Sequence, residues 1–378
     1  MPQQAKICFV VTEDWFFVSH FLPIAGAALA DGFAVSLVCN VGEHQGAIEA
    51  SGIRVLPLGG ERRSLNPLRL LGQVNRLRAA LAAEQPDIVH LVALKPIVLG
   101  GLAARFAGIT RRVVALTGTG FLGLAHGPAA RLARLLLRHG VRFILAGPGT
   151  RWLFENRDDI ALFGLSEAAG DRITVVGGAG IDETEIAVCP LPPGATLKVA
   201  LVARMLWSKG IDLAVAAVRL ARARGADVTL SLYGAPDPAN PRAFPVAQLR
   251  QWGAGDGIAW HGHSDDIAGV WAAHHLCLLP SRGGEGLPRS LLEAAASGRA
   301  ILTTDVPGCR DLVRDGQEGR IVPPDDVPAL ADALCALARD RAEVTRMGQA
   351  ARARLCAGFT QSAVTMTVVD LYRDLAGR

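Results

Sequence analysis

Residues 278–310 read LLPSRGGEGLPRSLLEAAASGRAILTTDVPGCR, and the fold is decided here. The apolar opening, Leu278, Leu279 and Pro280, reads as the end of a buried parallel strand. A loop carrying Gly283, Gly284 and Gly286 follows, and Pro288 stands at a helix start. Residues 290–297 have helical composition, Gly298 ends the helix, and residues 300–303 form the next strand. Strand, loop, helix and strand in this order make one unit of a doubly wound parallel sheet, where ligands sit at the carboxyl ends of the strands. Glu285 lies in the loop and Glu293 in the helix, with seven residues between them. A loop folded over the helix start turns both carboxylates to one crevice, at different depths. Singly, each is ordinary: a carboxylate near a helix start is favoured by the dipole, and an exposed mid-helix glutamate needs no function. The surrounding glycines and flanking apolar strands give the pair its weight.

The same alternation runs outward through the chain. Strands are expected at residues 6–12, 34–39, 54–58, 87–92, 112–116, 143–146 and 173–176, with a helix over 21–30 ended near Asp31 and Gly32. Cys189-Pro190-Leu191-Pro192-Pro193-Gly194 is the strongest linker signal. The alternation restarts at 197–203 and continues through 228–233, 258–260, 276–280 and 301–303, and residues 363–375 are helical. The expected organisation is therefore α/β with two Rossmann-like domains facing a cleft. A first domain spans 1–188, a linker 189–196, a second domain 197–360 and a terminal helix 361–378.

Composition bounds the function. A chain of 378 residues, half of them apolar, is long enough for two domains. Seven cysteines are scattered without a C-x-x-C pair or metal spacing with histidine, which suggests reduced thiols in the cytosol. Lys6 is followed by an apolar run too short for a signal peptide, and no 18-residue uncharged apolar stretch occurs. The net charge of +4 hides an asymmetry: residues 54–142 hold fourteen Lys and Arg against Glu61, Glu84 and Asp87. Such an imbalance points to an anionic partner, whether a membrane surface, a phosphorylated substrate or nucleic acid. Arg131, Arg134, Arg138 and Arg142 recur at helical spacing beside Leu132, Leu135 and Leu136. That is a solvated cationic face or a basic amphipathic helix lying on anionic lipid, and the second reading is favoured.

Further candidates stand at strand ends. Arg204 and Lys209, in Ala203-Arg204-Met205-Leu206-Trp207-Ser208-Lys209-Gly210, leave a strand where a diphosphate would be gripped by side chains and helix amides. The plain alternative is two surface cations flanking a loop. The turn from Gly234 to Pro241 is a structural loop or touches a bound ligand, the first reading favoured, while His261 and His263, at the next strand end, are either polar loop residues or ligand contacts. Gly177-Gly178-Ala179-Gly180 permits close backbone approach. In the first half, Trp15, Phe16 and Phe17 are read as loop aromatics that bind sugar, enter lipid or pack on the core. His20, Lys95, Thr117 and Gly118 are acceptor-side candidates, with a capped helix-start histidine as the rival account of His20.

Residues 278–310 resemble the E-x7-E signature of retaining glycosyltransferases of GT-B architecture, in the large family 4 group. Residues 204–210 resemble that family's diphosphate grip, and residues 177–182 its G-x-G-V-D element. The resemblance implies that Glu285 contacts donor sugar hydroxyls and Glu293 the ribose hydroxyls, with Gly286, Leu287, Pro288, His261 and Gly180 also on the donor. Arg204 and Lys209 then neutralise the leaving diphosphate. No metal is expected, because the cations take that role and no D-x-D occurs. It also implies a last helix crossing back to the first domain. Ser64-Leu65-Asn66-Pro67 recurs in relatives that extend lipid-linked oligosaccharides. Departures are an aromatic loop after the first strand, where many members carry glycines, and no histidine near Thr117 to Gly120. The expectation is a UDP-sugar donor, a polyprenyl-diphosphate-linked or other cell-surface glycan acceptor, and no nucleic acid. The place of action is the cytoplasmic face of the inner membrane, with the anionic surface held through the basic first domain. A sugar-nucleotide epimerase and a non-catalytic nucleotide-sugar-binding subunit are the alternatives.

Overall fold

The computed structural model describes residues 4–59, 66–120, 123, 127–165, 172–238, 240–255 and 257–378. Arg62, Arg63, Ser64, Leu65 and Phe121 lie outside the described residues. The chain divides into two compact units, one of residues 1–180 with 361–378 and one of residues 181–360. The division falls after Gly180, so the Pro-rich segment at 189–194 lies inside the second unit.

The first unit holds β1 (Lys6–Glu13), β2 (Ala34–Asn40), β3 (Arg54–Pro57), β4 (Ile88–Val92), β5 (Arg112–Leu116), β6 (Thr150–Phe154) and β7 (Ile173–Val175). They form one parallel sheet in the order β3-β2-β1-β4-β5-β6-β7. Strand β1 shows why its sequence is a continuous apolar run. Ile7, Phe9 and Val11 enter the core on one face, while Cys8 and Val10 enter the core on the other. Phe9 anchors the first of these cores, edge-on to Phe17 at 5.4 Å and stacked on His90 at 4.8 Å. The terminal helix Gln361–Ala376 belongs to this unit and buries Val364, Val368, Val369 and Tyr372 there. Tyr372 Oη meets Nδ1 of the fully buried His90 at 2.5 Å, tying the returning helix to the middle of the sheet. Burial holds the His90 imidazole neutral, its pKa pushed down to about 3.

Three expectations are corrected here. Residues 143–146 are not a strand but the end of the helix Pro128–Leu145, whose Val141, Ile144 and Leu145 are buried at helical spacing. The strand follows as β6 instead. A short apolar run cannot be assigned by periodicity alone. The aromatic stretch after β1 is not a loop but the helix Asp14–His20. Asp14 is buried and accepts from the amides of Gly42 (2.6 Å) and His44 (3.1 Å), Phe17 is in the core, and Trp15 is partly exposed. His20 ends that helix rather than capping the start of Leu22–Ala30.

The second unit holds β8 (Leu197–Val202), β9 (Val228–Tyr233), β10 (Ile258–Gly262), β11 (Leu276–Leu279), β12 (Ala300–Thr304) and β13 (Gly319–Val322). They form a parallel sheet in the order β10-β9-β8-β11-β12-β13. Strand β13 was not expected from the sequence. The order reverses between β8 and β11, which creates the crevice where ligands of such sheets bind.

Candidate active site

The site of the second unit is built where the loops after β8 and β11 meet. The loop after β8 makes a short 3₁₀ turn, Trp207–Lys209, and closes on Gly210 with φ of +70°. A Cβ on Gly210 would lie 2.0 Å from the Pro280 carbonyl oxygen, so only glycine lets the two loops touch through their backbones. The contact is completed by the Arg282 amide, which donates to the Ser208 carbonyl at 2.8 Å.

This approach brings Lys209 and Glu285 together. Lys209 Nζ donates to Glu285 Oε2 at 2.6 Å, with both side chains about 15% exposed. Ser281 Oγ stands 3.3 Å from Glu285 Oε1 and 3.2 Å from the Ser208 carbonyl. Arg204 leaves the same β8 loop and reaches Asp237 at 3.1 Å, with its own side chain half exposed. Arg204, Lys209 and Glu285 therefore stand on the loops at the reversal of strand order, side chains of the kind that bind phosphate oxygens and hydroxyl groups.

Glu293 stands in the helix Arg289–Ala296, which starts after Pro288 in extended conformation. It is buried, and burial pushes its carboxyl above the usual range. The Arg289 guanidinium, donating at 3.0 Å one helical turn away, pulls in the opposite direction. Leu287 is buried in the core of the unit, and Gly286 passes so close to Gly308 that a Cβ on Gly308 would fall 1.6 Å from the Gly286 oxygen. The β10 end presents His261, its ring stacked on Tyr233 at 4.6 Å and 13°. Gly180, grouped with these by resemblance, lies in the first unit with φ of +67°.

In the first unit His20 and Thr117 line one small cavity at the carboxyl edge of the sheet, with Phe21, Leu116, Glu155 and Val176. His20 is oriented by the Ser19 hydroxyl (2.6 Å) and by stacking on Phe16 (4.3 Å). Gly118 follows with φ of +117°. Lys95 stands at the start of the helix Leu94–Phe106, preceded by Ala93 at φ of +68°. Burial pushes its ammonium pKa down, against the attraction of Glu13. Among the described residues no cluster of His, Cys, Asp and Glu has the makings of a metal site.

Sequence reasoning passed over Arg282. Its side chain is 7% exposed and makes a two-pronged contact with Asp212 (2.8 Å each) plus bonds to Asp325 (2.6 Å) and the Trp207 carbonyl (2.7 Å). The available signal was an arginine in a glycine-rich loop directly after a buried strand.

The profile of glycosyl transferases group 1 matches residues 196–340, and that of glycosyl transferase 4-like proteins matches residues 6–146. The chain is 26% identical over 320 residues to the N,N'-diacetylbacillosaminyl-diphospho-undecaprenol alpha-1,3-N-acetylgalactosaminyltransferase of Campylobacter jejuni, covering 80% of this chain and 81% of that one. It is 31% identical over 180 residues to an exopolysaccharide phosphotransferase of Streptomyces coelicolor, covering 46% of this chain but 18% of the relative. It is also 31% identical over 176 residues to the phosphatidyl-myo-inositol mannosyltransferase of Mycolicibacterium smegmatis, covering 45% and 42%. Thus the chain spans less than half of these last two relatives. Among solved structures, Anabaena HepE in complex with UDP and glucose superimposes with a TM-score of 0.76 at 18% identity, over 98% and 99% of the two chains. Sucrose-phosphate synthase of Thermosynechococcus elongatus gives 0.77 at 19%, over 99% and 100%. With a 4-like match on the first unit, a group 1 match on the second and this fold, the chain belongs to the group 1, 4-like glycosyltransferases of GT-B architecture.

Proposed function

We propose that the protein is a retaining glycosyltransferase that moves a hexose or N-acetylhexosamine from a UDP donor to a polyprenyl-diphosphate-linked or other cell-surface glycan. The observation that carries this reading is the meeting of Lys209 and Glu285 at 2.6 Å on the reversal-point loops, with Arg204 on the same loop as Lys209. Arg204 and Lys209 neutralise the departing diphosphate, the largest protein contribution to such a transition state. Glu285 accepts from sugar hydroxyls and Glu293 from the ribose. The C1–O bond to phosphate breaks as the acceptor hydroxyl forms the new C1–O bond on the same face, and its proton passes to the departing diphosphate. Neither glutamate transfers a proton. His20, Lys95, Thr117 and Gly118 bind the acceptor. The UDP held by HepE and the diphospho-undecaprenol in the name of the Campylobacter relative support the choice of donor and acceptor. The cations supply the leaving-group charge, so no metal is required.

The test is UDP release from UDP-glucose, UDP-galactose and their N-acetylated counterparts, with and without undecaprenyl-diphosphate-linked glycans. Release that rises at least tenfold with one acceptor is expected. Donor turnover independent of every acceptor would favour the epimerase, and UDP binding without turnover the non-catalytic subunit.

The acceptor is held at an anionic membrane surface at its cytoplasmic side. In support, the helix Pro128–Leu145 exposes Leu132, Leu135, Leu136 and Phe143 among Arg131, Arg134, Arg138 and Arg142, and buries chiefly its last turn. Basic side chains flanking exposed apolar ones suit anionic lipid. No helix of the described residues is long and apolar enough to cross a membrane. The protein is expected to sediment with phosphatidylglycerol vesicles at low salt, and substitution of Leu135, Leu136 and Phe143 by serine to abolish this. Failure of the unsubstituted protein to sediment would leave the helix a solvated face.

A further inference from the structure

We infer that Arg282 is a positioning residue, the buried rivet that fixes the distance between the diphosphate-gripping loop and the Glu285 loop. The inference rests on the transferase reading above and assigns a role to a residue which that reading does not use.

Besides the backbone approach of Gly210 to Pro280 and the bonds that the Arg282 amide and Ser281 hydroxyl make to the Ser208 carbonyl, two charged side-chain connections join the loops after β8 and β11. One is the Lys209–Glu285 pair, made of the groups that engage the donor. Once the lysine turns to phosphate and the glutamate to sugar hydroxyls, that pair no longer sets the spacing. The other connection is Arg282. Its guanidinium gives parallel bonds to both oxygens of Asp212, in the first turn of the helix Ile211–Ala223 directly after the grip. It also donates to the Trp207 carbonyl within the grip and lies 4.4 Å from the centre of the Trp207 ring. Arg242 lies over the same ring at 4.5 Å, so the indole is held by two cations. Nε reaches Asp325 beyond β13, a non-glycine residue at φ of +61°. One side chain thus ties the β8, β11 and β13 loops at their carboxyl ends, three residues before Glu285.

Lysine cannot reproduce this. A point charge makes one of these contacts well, whereas the planar fork makes the bidentate pair, the carbonyl bond and the stack together. A misplacement of about 1 Å in a positioned group costs on the order of 100-fold in rate. The diphosphate contacts come from Arg204, Lys209 and backbone, so UDP affinity is expected to be little changed.

The experiment compares Arg282→Lys and Arg282→Met with the unsubstituted protein and with Asp325→Asn, which keeps the Asp212 fork. It reads kcat for the UDP-sugar that scores in the screen, UDP binding by calorimetry, and amide hydrogen exchange over residues 281–287. Expected for Arg282→Lys are a kcat at least tenfold lower, a UDP Kd within threefold, and exchange at least tenfold faster in that segment alone. Asp325→Asn is expected to stay within threefold on all three. A kcat within twofold of the original, or kcat and UDP affinity lost by the same factor, would overturn the inference, since a purely structural residue or a direct phosphate ligand moves both together. If Arg282→Met does not fold, Arg282→Lys decides. Full activity of Glu285→Gln would instead refute the underlying transferase reading, whatever Arg282 does.

Discussion

Replacing Lys209 or Glu285 by alanine is expected to lower transfer at least a hundredfold while circular dichroism and the unfolding transition report a folded protein. Lys209 is the more buried of the two cations proposed to grip the diphosphate, its side chain 15% exposed against 48% for Arg204. Charge stabilisation at a partly dry position is worth about 3–4 kcal/mol per donor group, or 10²–10³ in rate. Loss of Glu285 removes the acceptor that orients the sugar, and misorientation adds a comparable factor. The two should not multiply in the double variant, because they meet at 2.6 Å and act as one unit. The stability readout carries a second expectation. Each single substitution deprives a partly buried charge of its nearest counter-charge, at a cost of about 1–3 kcal/mol. The double variant removes both charges and should melt at or above the less stable single variant. Full transfer activity in either single variant would sink the assignment of these residues, and additive losses in the double would show that they act independently.

Much of this was legible because chemistry and topology coincided in short segments. Residues 278–310 carry a strand, a glycine loop, a helix start and a strand in uninterrupted order, and β11, the helix Arg289–Ala296 and β12 fall there. Arg204 and Lys209 stood out as candidates because a strand end followed by cations and Gly210 has few structural uses, and the structure places both on the loop after β8. What was lost has physical causes. Phe143, Ile144 and Leu145 read as strand because three adjacent apolar residues satisfy either period, and the helix that contains them turns several of its other leucines outward. Strand β13 begins with Gly319 and runs only four residues, below what alternation can reveal. The aromatic stretch after β1 is helical because Asp14 finds partners in the loop after β2, a long-range contact no local pattern announces. Arg282 escaped for the same reason: its partners lie 43 to 75 residues away along the chain.

The arrangement of the donor loops explains why glycine, rather than charge, sets the tightest tolerance in the site. Backbone meets backbone at Gly210 against Pro280, at Gly234 against Ala203 and at Gly308 against Gly286. Each contact joins neighbouring loops at the carboxyl edge of one sheet. The charged groups are therefore carried on a scaffold in which main-chain contact sets how closely the loops approach and the Arg282 fork holds them in that register.

Gly308→Ala is accordingly expected to be the most damaging conservative change in the second unit. Two costs add. At φ of +83° alanine carries a left-handed penalty of about 1–2 kcal/mol. Its Cβ would also fall 1.6 Å from the Gly286 carbonyl oxygen and 2.8 Å from the carbonyl carbon, with Glu285 Cβ at 3.5 Å. No rotamer relieves a clash between Cβ and main chain, so the loop bearing Glu285 must move by an ångström or more. The combined destabilisation is expected to exceed about 3 kcal/mol, in the range tied to backbone strain and overpacking. Gly316→Ala supplies the control within the same unit, with φ of +74° and nothing within 4 Å of the added Cβ. It should cost only the conformational penalty and leave transfer within about twofold, since it touches no donor loop. Denaturant unfolding and UDP release measured on both variants separate the two costs. Equal stability and equal activity in Gly308→Ala and Gly316→Ala would show that the loops do not meet as closely as the backbone places them, and with that the spacing argued for Lys209 and Glu285 would lose its support.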